Sequence, residues 1–188
     1  MPPSAEVGRA ALLVVTGPPG AGKSTVAARV VAAHARAVLV EGDRFFAFVA
    51  RGAVPPWTAQ AAEQNGVVLA AAARAAGRFA SGGYPVVYDG VLGPWSLPDF
   101  VTESGLAHVD YALLLPSEQV CRERVATRAG HGFTDDAAAR AMHGEFARAG
   151  VDERHVLREL PGGPDAVAAA VLERSAAGAL RWPLPSKG

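Results

Sequence analysis

Ala11-Leu12-Leu13-Val14-Val15-Thr16-Gly17-Pro18-Pro19-Gly20-Ala21-Gly22-Lys23-Ser24-Thr25 decides the fold. An apolar run of strand length ends in a glycine- and proline-rich turn, and an alanine- and valine-rich segment of helical length, residues 23–34, follows at once. Residues 17–24 fit G-x-x-x-x-G-K-[ST], placed after a strand and before a helix as phosphate binding requires. Glycines there permit backbone angles at which successive N–H groups converge on phosphate oxygens, at the positive end of the helix dipole. Gly17, Gly20, Ala21, Gly22, Lys23, Ser24 and Thr25 are therefore the expected nucleotide contacts. Lys23 is expected to reach the β- and γ-phosphates, and Ser24 to ligate a magnesium ion shared with them. The structural alternative, a strand-to-helix turn without a ligand, is disfavoured by the match of both flanks. Switches, motors, transporters and kinases all use such a loop, so the fate of the phosphate has to be read elsewhere.

Working outward, residues 37–41, 85–89 and 109–115 are short apolar runs that read as buried strands. Alanine-rich segments of helical length separate them, at residues 58–80 and 117–128, and a shorter one follows at 135–148. This alternation predicts an α/β fold of three layers, a parallel sheet with helices on both faces. Residues 154–158 form a weaker fifth strand candidate, and Pro164 opens a helix to about Ala177. Residues 181–188 read as a frayed tail. A length of 188 residues suits a single domain, 1–188.

Eighteen basic residues balance eighteen acidic ones, which argues against a general electrostatic grip on nucleic acid. A lone cysteine, Cys121, fits a reducing compartment. No basic segment precedes the first apolar run, and no apolar stretch approaches the roughly 18 residues needed to cross a bilayer. A cytoplasmic protein without a membrane partner is the expectation; oligomeric state is not legible.

Ligands of open parallel sheets sit outside the carboxyl edge, so the strand ends are where the reaction is specified. Asp43 follows the second strand and Asp89 closes the third. Phosphoryl transfer to an alcohol needs one carboxylate as a base for the acceptor hydroxyl and another to hold magnesium through water. Asp43 is assigned the base and Asp89 the metal, although the two roles are interchangeable at this level. Bland readings stand beside these: Asp43 as a cap for a helix beginning at Arg44, and Asp89-Gly90 as a turn pair. Arg122, Arg124 and Arg128 lie on the helix after the fourth strand. An arginine at its end, Arg128, suits charge developing on the phosphoryl group, and an earlier one, Arg122, suits stacking on a purine. Arg124 is the weaker candidate, and a solvated helix face accounts for all three equally simply.

Taken together, the glycine loop, Gly42-Asp43, Asp89-Gly90 and the arginine-rich helix resemble the small P-loop kinases related to gluconate and shikimate kinases. Within that group the chain is most similar to the branch holding chloramphenicol phosphotransferase and zeta-toxin-like kinases. The resemblance implies a five-stranded parallel sheet of order 2-3-1-4-5, ATP and Mg2+ as cofactors, and a lid at about 128–136. It also implies Asp43 as the acceptor-activating aspartate, Arg128 as the lid arginine, and an adenine contact at Pro161-Gly162-Gly163, with Gly162 at its centre.

The substrate motifs of gluconate and shikimate kinases are not evident. Aromatic and amide residues mark the expected acceptor pocket instead: Phe45, Phe46, Phe48, Trp57, Gln60, Gln64, Asn65 and Trp95. Phe46, Trp57, Gln64 and Trp95, with Asp43 and Asp89, are the expected substrate contacts, and such a mixture suits a ring or apolar surface bearing hydroxyls. Each Phe suits a core position as well. His131, Asp135, His143 and Glu145 match no standard metal spacing. The expected function is an ATP-dependent phosphotransferase acting on a hydroxyl of an antibiotic, natural product or sugar-like metabolite. A zeta-toxin-like nucleotide-sugar kinase, using Arg44, Arg51 and Arg74, is one alternative; a nucleotide switch is another. The lack of an N-K-x-D element leans toward adenine over guanine.

Overall fold

The computed structural model describes residues 11–127 and 135–183. Strand β1, Leu12–Thr16, is buried along its length and runs through the glycine loop into α1, Lys23–Ala32. Next come β2, Val38–Glu41, and a short helix α2, Gly42–Ala47. A 3-10 turn at Ala59–Ala61 leads into the long α3, Ala62–Ser81, and then β3, Val86–Asp89. Helix α4, Leu97–Ser104, precedes β4, His108–Leu114, and α5, Glu118–Thr127. The described chain closes with α6, Asp136–Arg148, β5, Val156–Leu157, α7, Gly163–Ala176, and β6, Arg181–Pro183.

Five parallel strands take the order β2-β3-β1-β4-β5, as the resemblance implies. Successive β1 side chains enter opposite cores. Leu12 and Val14 join Tyr88, Phe100, Tyr111 and the α3 alanines, while Leu13 and Val15 join Val26, Val30, Val87 and Val171. A strand buried on both faces must be apolar at every position, which is why β1 shows no alternation in the sequence. The alanine content serves close approach as well as helix propensity. A Cβ on Gly77 of α3 would stand 1.9 Å from the Ser104 carbonyl oxygen of α4, so these two helices touch backbone to backbone.

One expectation is corrected. The tail from residue 181 is not frayed at its start: Arg181–Pro183 pairs antiparallel with β4, with Asp110 opposite Arg181. The cause is a gap. β5 covers only Leu113 and Leu114, which leaves the first half of β4 without a neighbour on that side, and β6 fills it. Trp182 then packs its ring against Tyr111 at 5.4 Å and the buried His155 at 5.1 Å. Residues 184–188 lie outside the described chain, as does most of the expected lid.

Candidate active site

The glycine loop is held from below by backbone. Gly17, Gly20 and Gly22 have φ of 147°, 79° and 92°. A Cβ would stand 2.1 Å from the Leu114 carbonyl oxygen at Gly17 and 2.2 Å from that of Cys121 at Gly20, so the loop sits directly on the end of β4 and the start of α5. Ala21 is buried and its N–H donates to Pro18 O at 3.1 Å, closing the turn. Gly22 caps α1 in the left-handed conformation, and Ser24 and Thr25 stand exposed in the helix's first turn. The Lys23 ammonium donates to Pro18 O at 3.0 Å, folded over the loop it is expected to serve.

The strand ends converge on this loop. In the sheet register Asp89 lies beside both Val15 and Glu41, so its side chain shares the α1 face of the sheet. Asp89 is only 7% exposed. Burial pushes its carboxyl above the ordinary carboxylate range, the neighbouring Ser24 hydroxyl and Lys23 charge draw it down, and Asp43 and Glu41 push it up again. These effects mark Lys23, Ser24, Asp43 and Glu41 as the groups near the Asp89 carboxyl. Asp43 is exposed in the first turn of α2, which starts at Gly42 rather than at Arg44, so it is not an N-cap. A hydroxyl and a buried carboxylate beside a helix N-terminus are hard oxygen donors, which suits Mg2+. Among the described residues there is no cluster of three His, Cys, Asp or Glu able to hold a metal unaided. His143 is committed to Pro116 O at 2.8 Å.

Thr16 was not singled out in the sequence, yet it anchors the other rim. Its hydroxyl donates to Leu92 O at 3.0 Å and accepts from Leu92 N–H at 2.8 Å, and the Tyr111 hydroxyl donates to the same carbonyl at 3.1 Å. The loop after Asp89 is thereby fixed to β1 and β4.

The arginines divide differently from expectation. Arg122 is held by Asp136 through two hydrogen bonds, 2.7 and 3.1 Å, which ties α5 to α6. Arg124 turns the other way. Its guanidinium donates to Gly20 O at 3.4 Å and lines a cleft with Ala21, Gly22, Arg158, Leu160 and Gly163. Gly162, at φ 98°, is the N-cap of α7 next to that cleft. Helical spacing alone gives no clue to which face of α5 looks at the loop. Arg128 lies outside the described residues.

Of the residues expected at the acceptor pocket, Phe46 is half-buried while Phe48, Trp57 and Trp95 are exposed. The Trp95 ring covers Gly93 and meets Phe146 at 5.4 Å. Gln64 is used by the fold: its amide oxygen accepts from Val54 N–H and its amide nitrogen donates to Val54 O, both at 2.9 Å. Asn65 adds a bond to Pro56 O at 2.7 Å, so α3 staples the loop that carries Trp57. Of the cations available for a diphosphate acceptor, Arg74 is paired with Glu103 at 2.7 Å and Arg44 with Glu41 at 3.5 Å.

Residues 12–149 match the family model described as an AAA domain. The chain belongs to the AAA-domain family. No curated protein matches this AAA-domain chain by sequence. Among solved structures it is similar to an unliganded sugar kinase from Janibacter sp. HTCC2649, at 21% identity and TM-score 0.66, covering 90% of this chain and 96% of that one. It is similar to the Mycobacterium tuberculosis APS kinase CysC in complex with AMPPNP and APS, at 14% identity and TM-score 0.61, over 88% and 97% of the two chains. A third likeness is the Deinococcus radiodurans tunicamycin resistance protein, at 17% identity and TM-score 0.59, over 87% and 94%. The AAA-domain chain therefore has the P-loop kinase fold over nearly its whole length. No helix among the described residues is long and apolar enough to cross a membrane.

Proposed function

We propose that this protein is an ATP-dependent phosphotransferase that moves the γ-phosphate to a hydroxyl of a small molecule. The observation that carries the reading is that Lys23, Ser24 and Asp43, from the glycine loop and the start of α2, all act on the buried Asp89 carboxyl at the end of β3. Backbone N–H groups of Gly20 and Gly22, on the turn that the Ala21 N–H closes, and the Lys23 ammonium hold the phosphates. Ser24 and Asp89 would hold magnesium, which when bound neutralises charge on the phosphate oxygens. Asp43 takes the proton of the acceptor hydroxyl as its oxygen attacks the γ-phosphorus, and ADP leaves with the bridging electron pair. Arg124, with Leu160 and Gly163 opposite, suits a stacked purine, a role that passes to it from Arg122.

Exposed Phe48, Trp57 and Trp95, on the segments that follow β2 and β3, favour an acceptor with a ring or apolar face in addition to its hydroxyl. A sugar kinase and an antibiotic resistance protein of the same fold are consistent with a sugar-like or natural-product acceptor. Pairing of Arg44 and Arg74 within the chain weighs against a nucleotide diphosphate acceptor. A screen of hydroxylated metabolites and antibiotics for acceptor-stimulated ADP release tests the reading. Stimulation by at least one acceptor is expected; brisk basal hydrolysis that no acceptor alters would favour a nucleotide switch.

A further inference from the structure

Tyr88 is 1% exposed and lies between Val14 and Val40 in the sheet register, with its ring on Phe100 at 4.8 Å. Nothing in the proposed reaction uses it. Its hydroxyl nevertheless reaches the tops of two strands. A Cβ on Gly42 would stand 2.4 Å from the phenol oxygen, and one on Gly90 would stand 2.7 Å from it. Both separations are shorter than any side chain tolerates, so the phenol oxygen, with ring Cζ behind it at 2.9 Å from either Cβ, occupies the space that a side chain at either position needs. Gly42 directly precedes Asp43, and Gly90 directly follows Asp89.

We infer that Tyr88 is a positioning residue whose hydroxyl acts as the spacer between the backbones carrying Asp43 and Asp89, and so sets the distance between acceptor base and metal-holding carboxylate. This rests on the phosphotransferase reading of those two residues. The ring cannot yield: Val14, Val40 and Phe100 pack it from three sides, and all three belong to one buried core or its strands.

A double-mutant cycle over Gly42→Ala and Tyr88→Phe tests this, with Mg·ATP and water as the acceptor. Basal ADP release, affinity for a fluorescent ATP analogue and thermal midpoint are measured for all four proteins. Gly42→Ala is expected to slow ADP release about 30-fold while analogue affinity stays within about twofold, and Tyr88→Phe to restore at least about fivefold of that loss by removing the oxygen. An equal loss from Gly42→Ala in both backgrounds overturns the inference. Coupling in thermal midpoint without coupling in ADP release overturns it too, since the contact would then be structural alone. Gly90→Ala gives the same cycle should Gly42→Ala prove too unstable to purify. Lys23→Ala separates the two levels: if ADP release survives it, the nucleotide-site reading fails and the spacer falls with it, whereas additivity in a Lys23-dependent enzyme removes only the spacer.

Discussion

The phosphate loop and the proposed acceptor rim, on the segments after β2 and β3, are built on opposite principles. In the loop, neighbouring backbone fills the space beside Gly17 and Gly20, and three glycines adopt left-handed or extended positive φ that other residues avoid. On the rim, large apolar groups stand in solvent, with Phe48 73% and Trp95 54% exposed, and two amides, Gln64 and Asn65, close the Trp57 loop. The donor half is fixed by sterics common to any triphosphate user. The proposed acceptor half rests on particular side chains, and on that proposal those carry specificity.

The comparison predicts unequal responses to substitution. Lys23→Ala should reduce ADP release about 1,000-fold, since it removes the cation aimed at the phosphates; a loss under tenfold would break the donor assignment. Gly20→Ala should cost about 3 kcal/mol in urea unfolding, because its Cβ meets a fixed carbonyl at a φ of 79°. Gly66→Ala, in open space on α3, should instead stabilise by about 0.5–1 kcal/mol. Equal effects at the two glycines would erase the contrast. Arg124→Ala should weaken ATP binding about tenfold, measured by calorimetry, and Arg122→Ala less than about threefold, since Asp136 already holds Arg122. The smallest effect is electrostatic. Burial raises the Asp89 carboxyl, so the metal-free folded state holds that proton more tightly than the unfolded chain does. Stability from this group is full below the unfolded value of about 3.9 and falls as pH rises through the folded one. Asp89→Asn should therefore raise the thermal midpoint of the metal-free protein at neutral pH and leave it unchanged below about pH 3.9; parallel curves would contradict this.

Much of the donor half was legible because its signals are local. The strand, the glycines and Lys23 are contiguous, and their spacing alone specifies the turn. The core strands were legible for the same reason, as uninterrupted apolar runs. What escaped depends on distance along the chain. β6 is three residues, one a proline, and is a strand only because β5 leaves half of β4 uncovered. Helix α4 carried signals that were there to be read, Pro98 in its first turn and Gly105 at its C-cap with φ 69°. Arg124 and Arg122 are two residues apart on one helix, and only the seating of α5 against Gly20 tells them apart. Gln64 was read as a substrate contact, whereas both ends of its amide are taken by Val54, 10 residues away.

Phosphorus NMR of Mg·ATP with the acceptor that most stimulates ADP release tests the central claim most directly. A phosphomonoester resonance should grow in step with ADP, and Asp43→Asn should abolish it while ATP affinity is retained. Inorganic phosphate as the sole phosphorus product beside ADP, with every acceptor tried, would contradict transfer to a hydroxyl.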